Sequence, residues 1–119
     1  MVTVLLADDT EIMRRMIRRL LSTENQIVIV GEAANFTEAI ALCVELKPDV
    51  VILDLHMPDR EKMLSLANLK ASLATCASRI IAISLFQDAE TRIASRVLDV
   101  PLLEKMNLAL ELIPAILRE

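Results

Sequence analysis

The sequence predicts an α/β domain, an open parallel sheet with helices on both faces. Three observations predict it. Apolar runs of strand length alternate five times with segments of helical period along the 119 residues. No internal repeat, low-complexity tract or linker interrupts the alternation. Polar residues also follow the apolar runs at once, which puts them at the carboxyl ends of strands, where open α/β sheets bind ligands.

The elements follow in order. VTVLLA (2–7) is a continuous apolar, β-branched run and reads as a buried strand. Residues 10–23 read as a helix, with Ile12, Met13, Met16, Ile17, Leu20 and Leu21 forming a wide apolar stripe. QIVIVGEA (26–33) is a second strand and NFTEAIALCVELK (35–47) a second helix. Asn35 and Glu38 have the spacing of a capping box, and Pro48 stops that helix. DVVILDL (49–55) is the third strand, ended by an MPD turn, and residues 60–75 form a helix weakened by Ser65, Asn68 and Ser72. RIIAISL (79–85) is the fourth strand, residues 88–98 a helix, and VPLLE (100–104) a short fifth strand. MNLALELIPAILRE (106–119) is the last helix, with Pro114 expected to kink or break it.

Composition narrows the class. The chain is 55% hydrophobic, which excludes disorder, and its length suits one domain with one sizeable core. Phe36 and Phe86 are the only aromatics, so that core is aliphatic. No apolar run reaches the ~18 residues that a membrane span needs, and the N-terminus lacks a signal peptide's layout. Cys43 and Cys76 fit no metal spacing and read as reduced thiols, so a cytoplasmic protein is expected. A net charge of -4 gives no electrostatic case for direct nucleic-acid binding. Arg14, Arg15, Arg18 and Arg19 nevertheless make a basic stripe on the first helix, either a solvated face or a docking surface for an acidic partner.

The chemistry lies at the strand ends. Asp8 and Asp9 close strand one, Asp54 lies near the end of strand three, Ser84 near the end of strand four, and Lys105 follows strand five. Singly, each has a plain explanation: Asp9 as a helix N-cap, Ser84 as a strand-end hydroxyl, Lys105 as a surface lysine. Together they suit phosphoryl transfer. Adjacent aspartates raise each other's pKa, so positive charge is expected among them. A few carboxylates can hold Mg²⁺, and a lysine can neutralise a phosphoryl oxyanion. A hydroxyl can donate to that group, and a carboxylate can be the nucleophile that forms an acyl phosphate. Positioning and charge neutralisation do most of such catalysis, so no histidine base is required.

LLADD (5–9), VVILDLHMP (50–58), IAIS (81–84) and LLEK (102–105), in that order on this alternation, resemble the receiver domain of two-component response regulators. The resemblance covers essentially the whole chain, 1–119, and is strongest to receivers attached to helix-turn-helix output domains. It implies a flavodoxin-like doubly wound sheet of strand order 2-1-3-4-5. It implies that Asp54 is the phosphoacceptor, Ser84 the switch hydroxyl and Lys105 the family's lysine. Asp8, Asp9, Asp54 and the backbone carbonyl of His56 would hold Mg²⁺, with Asp9 the more direct ligand of the acidic pair. The imidazole of His56 has no part, although it is the chain's only histidine.

The same resemblance implies a histidine kinase or phosphotransfer protein as donor, and no enzymatic activity beyond the domain's own phosphoryl transfer and dephosphorylation. It leaves room for a homodimer, and for a DNA-binding output domain if the chain is a fragment. Four departures from the family pattern bear on switching. Leu102 stands where an aromatic is common and Met106 where a proline follows the lysine. Leu85 replaces a small residue after Ser84, and the aspartate-glycine after the MP turn is missing. They motivate an alternative, a pseudo-receiver acting as a phosphorylation-independent interaction module. A phosphomonoester hydrolase is disfavoured, because no general acid besides His56 and no substrate-capping segment is evident.

Overall fold

The computed structural model describes residues 1–59, 66–85 and 88–118. Five parallel strands, β1 (Val2–Ala7), β2 (Ile27–Ala33), β3 (Val50–Asp54), β4 (Arg79–Ser84) and β5 (Leu102–Glu104), form one sheet of order β2-β1-β3-β4-β5. Helices α1 (Glu11–Leu21), α2 (Phe36–Leu46), α3 (Leu66–Ala74), α4 (Ala89–Leu98) and α5 (Leu108–Leu117) connect and flank them. This is the doubly wound architecture expected from the alternation.

The sheet is buried on both faces because the middle of each central strand is a continuous apolar run, Val4–Ala7, Val50–Leu53 and Ile80–Ile83. Leu5, Ala7, Val51, Leu53 and Ala82 face one cluster, completed by Phe36, Ala39 and Cys43 of α2, Leu69 and Leu73 of α3, and Ala94 and Leu98 of α4. Val4, Leu6, Val50, Ile52, Ile81 and Ile83 face the other, completed by Ile17 and Leu21 of α1 and Leu108, Leu112 and Ile116 of α5. The alternation of neighbours between clusters is the period of two expected of strands.

One irregularity matters for the site. Val4 pairs with Ile29 but Leu5 with Gly31, so Val30 is an extra residue, a bulge in β2. Without it, the strand's alternation would turn Glu32 away from α1. With it, Glu32 faces the α1 arginines. Gly31, the only glycine, lies under α2, where a Cβ would meet the Leu46 Cδ1 at 2.8 Å.

Element ends depart from expectation for local reasons. Helix α1 starts at Glu11 with Thr10 as N-cap, so Asp9 is not the cap. Asn35 caps α2 as expected, accepting from the Glu38 amide at 2.8 Å. Lys47 then ends that helix in the left-handed conformation, φ 48°, just before Pro48. The start of the expected helix over residues 60–75 lies outside the described residues. Strand β5 is shorter than expected, beginning after Pro101. A single 3-10 turn, Lys105–Asn107, precedes α5. Pro114 does not break α5: the proline is exposed, the buried Leu108, Leu112 and Ile116 hold the helix down, and Arg79 donates to the Ala115 and Ile116 carbonyls at its end.

Candidate functional site

The strand register brings the expected residues to one edge. Ala7 pairs with Leu53 and Asp54 with Ile83, so Asp8 and Asp54 leave adjacent strand ends. Ser84 pairs with Glu104, which places Ser84 and Lys105 on the neighbouring pair of ends. Asp8, Asp54 and Ser84 are buried, Lys105 is partly buried, and Asp9 and His56 are exposed.

Each side chain has a defined setting. The Asp8 Oδ1 accepts from the Thr10 amide and hydroxyl, both at 2.9 Å. Its Oδ2 lies 2.8 Å from the Lys105 ammonium, a close ion pair and that buried oxygen's sole contact of this kind among the described residues. The same ammonium donates to the Asp54 Oδ2 at 3.3 Å. The Asp54 Oδ1 accepts from the His56 amide at 3.0 Å. Lys105 thus bridges Asp8 and Asp54, the positive charge that the paired aspartates called for. Asp9 is left outside this bridge. Because Thr10 takes the N-cap position, the Asp9 carboxylate is not engaged by the helix.

Burial pushes the Asp54 carboxyl above its ordinary range. The His56 amide and the Lys105 charge pull it down but do not cancel that shift, and the Asp8 charge adds to it. Burial alone would lower Lys105, yet its contacts with Asp8 and Asp54 leave it raised. The ammonium is therefore held charged, while Asp54 carries a desolvation cost that the ion pair only partly offsets.

Carboxylate oxygens of Asp8, Asp9 and Asp54 all lie within 4.8 Å of one another. That spacing suits a single hard cation. Three carboxylates against one ammonium leave an excess of negative charge, and Asp8 retains a buried oxygen without a hydrogen bond. The donor set is all oxygen and few in number, which fits Mg²⁺ better than a softer metal.

Several residues around the site were not singled out for it by the sequence. Arg14 and Arg18, expected as solvated or docking groups, both turn to Glu32, at 3.1 Å and 2.6 Å. Arg14 also donates to the Asp8 backbone carbonyl at 2.6 Å. Their spacing of four residues was the available signal, since it places both on one helix face. Asp59 accepts from the Phe36 and Thr37 amides at 2.7 and 2.9 Å, tying the loop after β3 to the start of α2. No local pattern foretells that long-range cap. Of the departures, Leu102 packs against the core cluster of α2, α3 and α4, whereas Leu85 and Met106 are exposed.

Known proteins share both the sequence pattern and the fold. The family model described as the response regulator receiver domain matches residues 4–102. Response regulator protein VraR of Staphylococcus aureus is 42% identical over 72 residues, covering 60% of this chain and 34% of that protein. The chain therefore spans about a third of that relative. The signal receiver domain of NarL from Mycobacterium tuberculosis superposes with a TM-score of 0.83 at 26% identity, over 98% of this chain and 93% of that one. The isolated receiver domain of RcsB from Salmonella enterica serovar Typhimurium, determined in the presence of the phosphomimetic BeF3-, gives 0.81 at 25% identity, over 96% and 84%. With a family match over most of its length and this fold, the chain belongs to the response regulator receiver domain family.

Proposed function

We propose that the chain is a phosphorylation-dependent signalling switch in which Asp54 accepts a phosphoryl group from a histidine kinase or phosphotransfer protein. The observation that carries this reading is the buried Asp54 carboxylate, joined through Lys105 to Asp8, with three carboxylates converging within 4.8 Å.

A carboxylate oxygen of Asp54 attacks phosphorus. The bond from phosphorus to the donor's imidazole nitrogen breaks, and the nitrogen leaves with the electron pair. An acyl phosphate remains on Asp54. The His56 amide, 3.0 Å from Asp54 Oδ1, orients the carboxylate and leaves Oδ2, beside the Lys105 ammonium, as the oxygen to react. Lys105 neutralises charge on the arriving phosphoryl oxygens, and the Ser84 hydroxyl donates to one of them. Asp8, Asp9, Asp54 and the His56 carbonyl would hold Mg²⁺. Such an ion would supply neutralisation of the negative charge on the phosphoryl oxygens.

The new charge draws in Ser84 and Lys105 and shifts the population of the face formed by α4, β5 and α5. That face exposes Ile93 and Val97 of α4, Met106, and Leu110 of α5. Dimerisation, or a DNA-binding output domain in the intact protein, would read the shift. The setting is cytoplasmic, where the donors act. The arginine stripe contributes Arg19 and Arg15 to donor docking, since Arg14 and Arg18 are engaged by Glu32 and Arg15 makes only an exposed 3.6 Å pair with Glu11 of its own helix.

Thermal unfolding with Mg²⁺ and beryllofluoride tests the reading. The parent gains stability with both ligands together, and Asp54→Ala does not. Equal curves for parent and variant would sink it. The second reading, a pseudo-receiver, is favoured by one observation, Leu102 packed into the core where family members commonly place an aromatic. It predicts no stabilisation of either protein.

A further inference from the structure

We infer that Arg14 is a positioning residue for the metal site, holding the Asp8–Asp9 peptide so that the Asp9 carboxylate stands beside those of Asp8 and Asp54. The inference rests on the proposed function, because it concerns the Mg²⁺ that the acidic site would hold.

The three acids are not secured alike. Asp8 is fixed at both oxygens, by Thr10 on one side and Lys105 on the other. Asp54 is fixed by the His56 amide and Lys105. The exposed Asp9 carboxylate has no hydrogen bond or ion pair among the described residues. Its place near the other two is therefore set by its backbone. The peptide that leads into Asp9 carries the Asp8 carbonyl, and that carbonyl accepts from the Arg14 Nη1 at 2.6 Å. The preceding amide is held from the other side by the Ala33 carbonyl at 3.0 Å.

Arg14 is itself held. Its Nε donates to Glu32 at 3.1 Å, and the side chain is only 18% exposed. A guanidinium presents several donors in a rigid plane, so one group can serve the Glu32 carboxylate and the Asp8 carbonyl together. A lysine in its place has one nitrogen for two partners. The bulge at Val30 completes the device by turning Glu32 toward α1. Arg18 provides an internal control, because it pairs with the same Glu32 and makes no contact with Asp8 among the described hydrogen bonds.

Groups that orient metal ligands typically alter affinity by about 10–100-fold when lost. Calorimetric titration with Mg²⁺ suits a chain without tryptophan or tyrosine. Arg14→Met is expected to weaken Mg²⁺ about tenfold, while the rate of phosphorylation by acetyl phosphate at saturating Mg²⁺ stays close to the parent's. Arg14→Lys recovers part of the affinity, and Arg18→Met matches the parent. Parent-like affinity in Arg14→Met overturns the inference, as does an equal loss in Arg18→Met, which would trace the effect to Glu32 pairing. If Arg14→Met fails to fold, parent-like affinity in Arg14→Lys overturns it too. A parent that binds no Mg²⁺ overturns the functional reading itself.

Discussion

At the scale of single residues, the candidate site carries a stability cost at Asp54. Asp54 is buried and its pKa is raised, so its ionised form weighs against the folded state. That cost is absent below the ordinary carboxylate value and fully present above the raised one. Asp54→Asn should therefore melt higher than the parent near neutral pH, with the difference closing as pH falls toward 3.8, as read by circular dichroism melts. If the acidic site holds Mg²⁺ as proposed, the ion should reverse the order, since a ligand at 100 times its Kd adds about 2.7 kcal/mol to the protein that binds it. Asp59 behaves oppositely. Burial would raise its pKa, but the Thr37 and Phe36 amides outweigh that and lower it. Asp59→Ala should cost about 1–2 kcal/mol in urea unfolding. Because the folded pKa is depressed, that contribution is present above 3.8 and fades as pH drops through the lower folded value. Cys43 is pushed up to about 11, by burial first and then by its hydrogen bond with Cys76. It should resist iodoacetamide at pH 8 in the folded protein and react freely after denaturation. Fast labelling of the native chain would contradict its burial.

At the scale of elements, periodicity was legible, but termination only where a strong local signal marks it, as Asn35 and Pro48 do at the two ends of α2. The apolar runs of β1, β3 and β4 follow from local pattern because burial selects them, but of the apolar stripe on α1 only Ile17 and Leu21 are buried, while Ile12 and Met16 stay exposed. Other ends depend on neighbours. Asp9 reads as a cap, yet Thr10 takes that position once Asp8 draws the Thr10 amide and hydroxyl. Pro114 reads as a break, yet α5 continues because its apolar side is buried and Arg79 serves its last carbonyls. The bulge at Val30 leaves no trace in the pattern, but it decides that Glu32 meets Arg14 and Arg18. Helices α2 and α4 end on non-glycine residues with positive φ, Lys47 at 48° and Asp99 at 55°. A glycine adopts that conformation without the Cβ conflict, so Lys47→Gly should raise stability by about 0.5–1 kcal/mol. Urea unfolding followed by circular dichroism measures it, and a loss would show that Lys47 makes compensating contacts.

At the scale of the whole molecule, the sheet's two buried faces fix the strands so that side chains from β1, β3, β4 and the end of β5 meet at one edge. The candidate site residues were legible because each stands at or near the end of an apolar run. Their supports were less so, because Glu32 meets Arg14 across 18 residues and Asp59 meets Phe36 across 23. The central claim is that this edge accepts a phosphoryl group at Asp54. Intact-protein mass after incubation with Mg²⁺ and acetyl phosphate, beside Asp54→Ala, tests it most directly. The parent should gain one phosphoryl group and the variant none. No gain in the parent, or an equal gain in both, would contradict it.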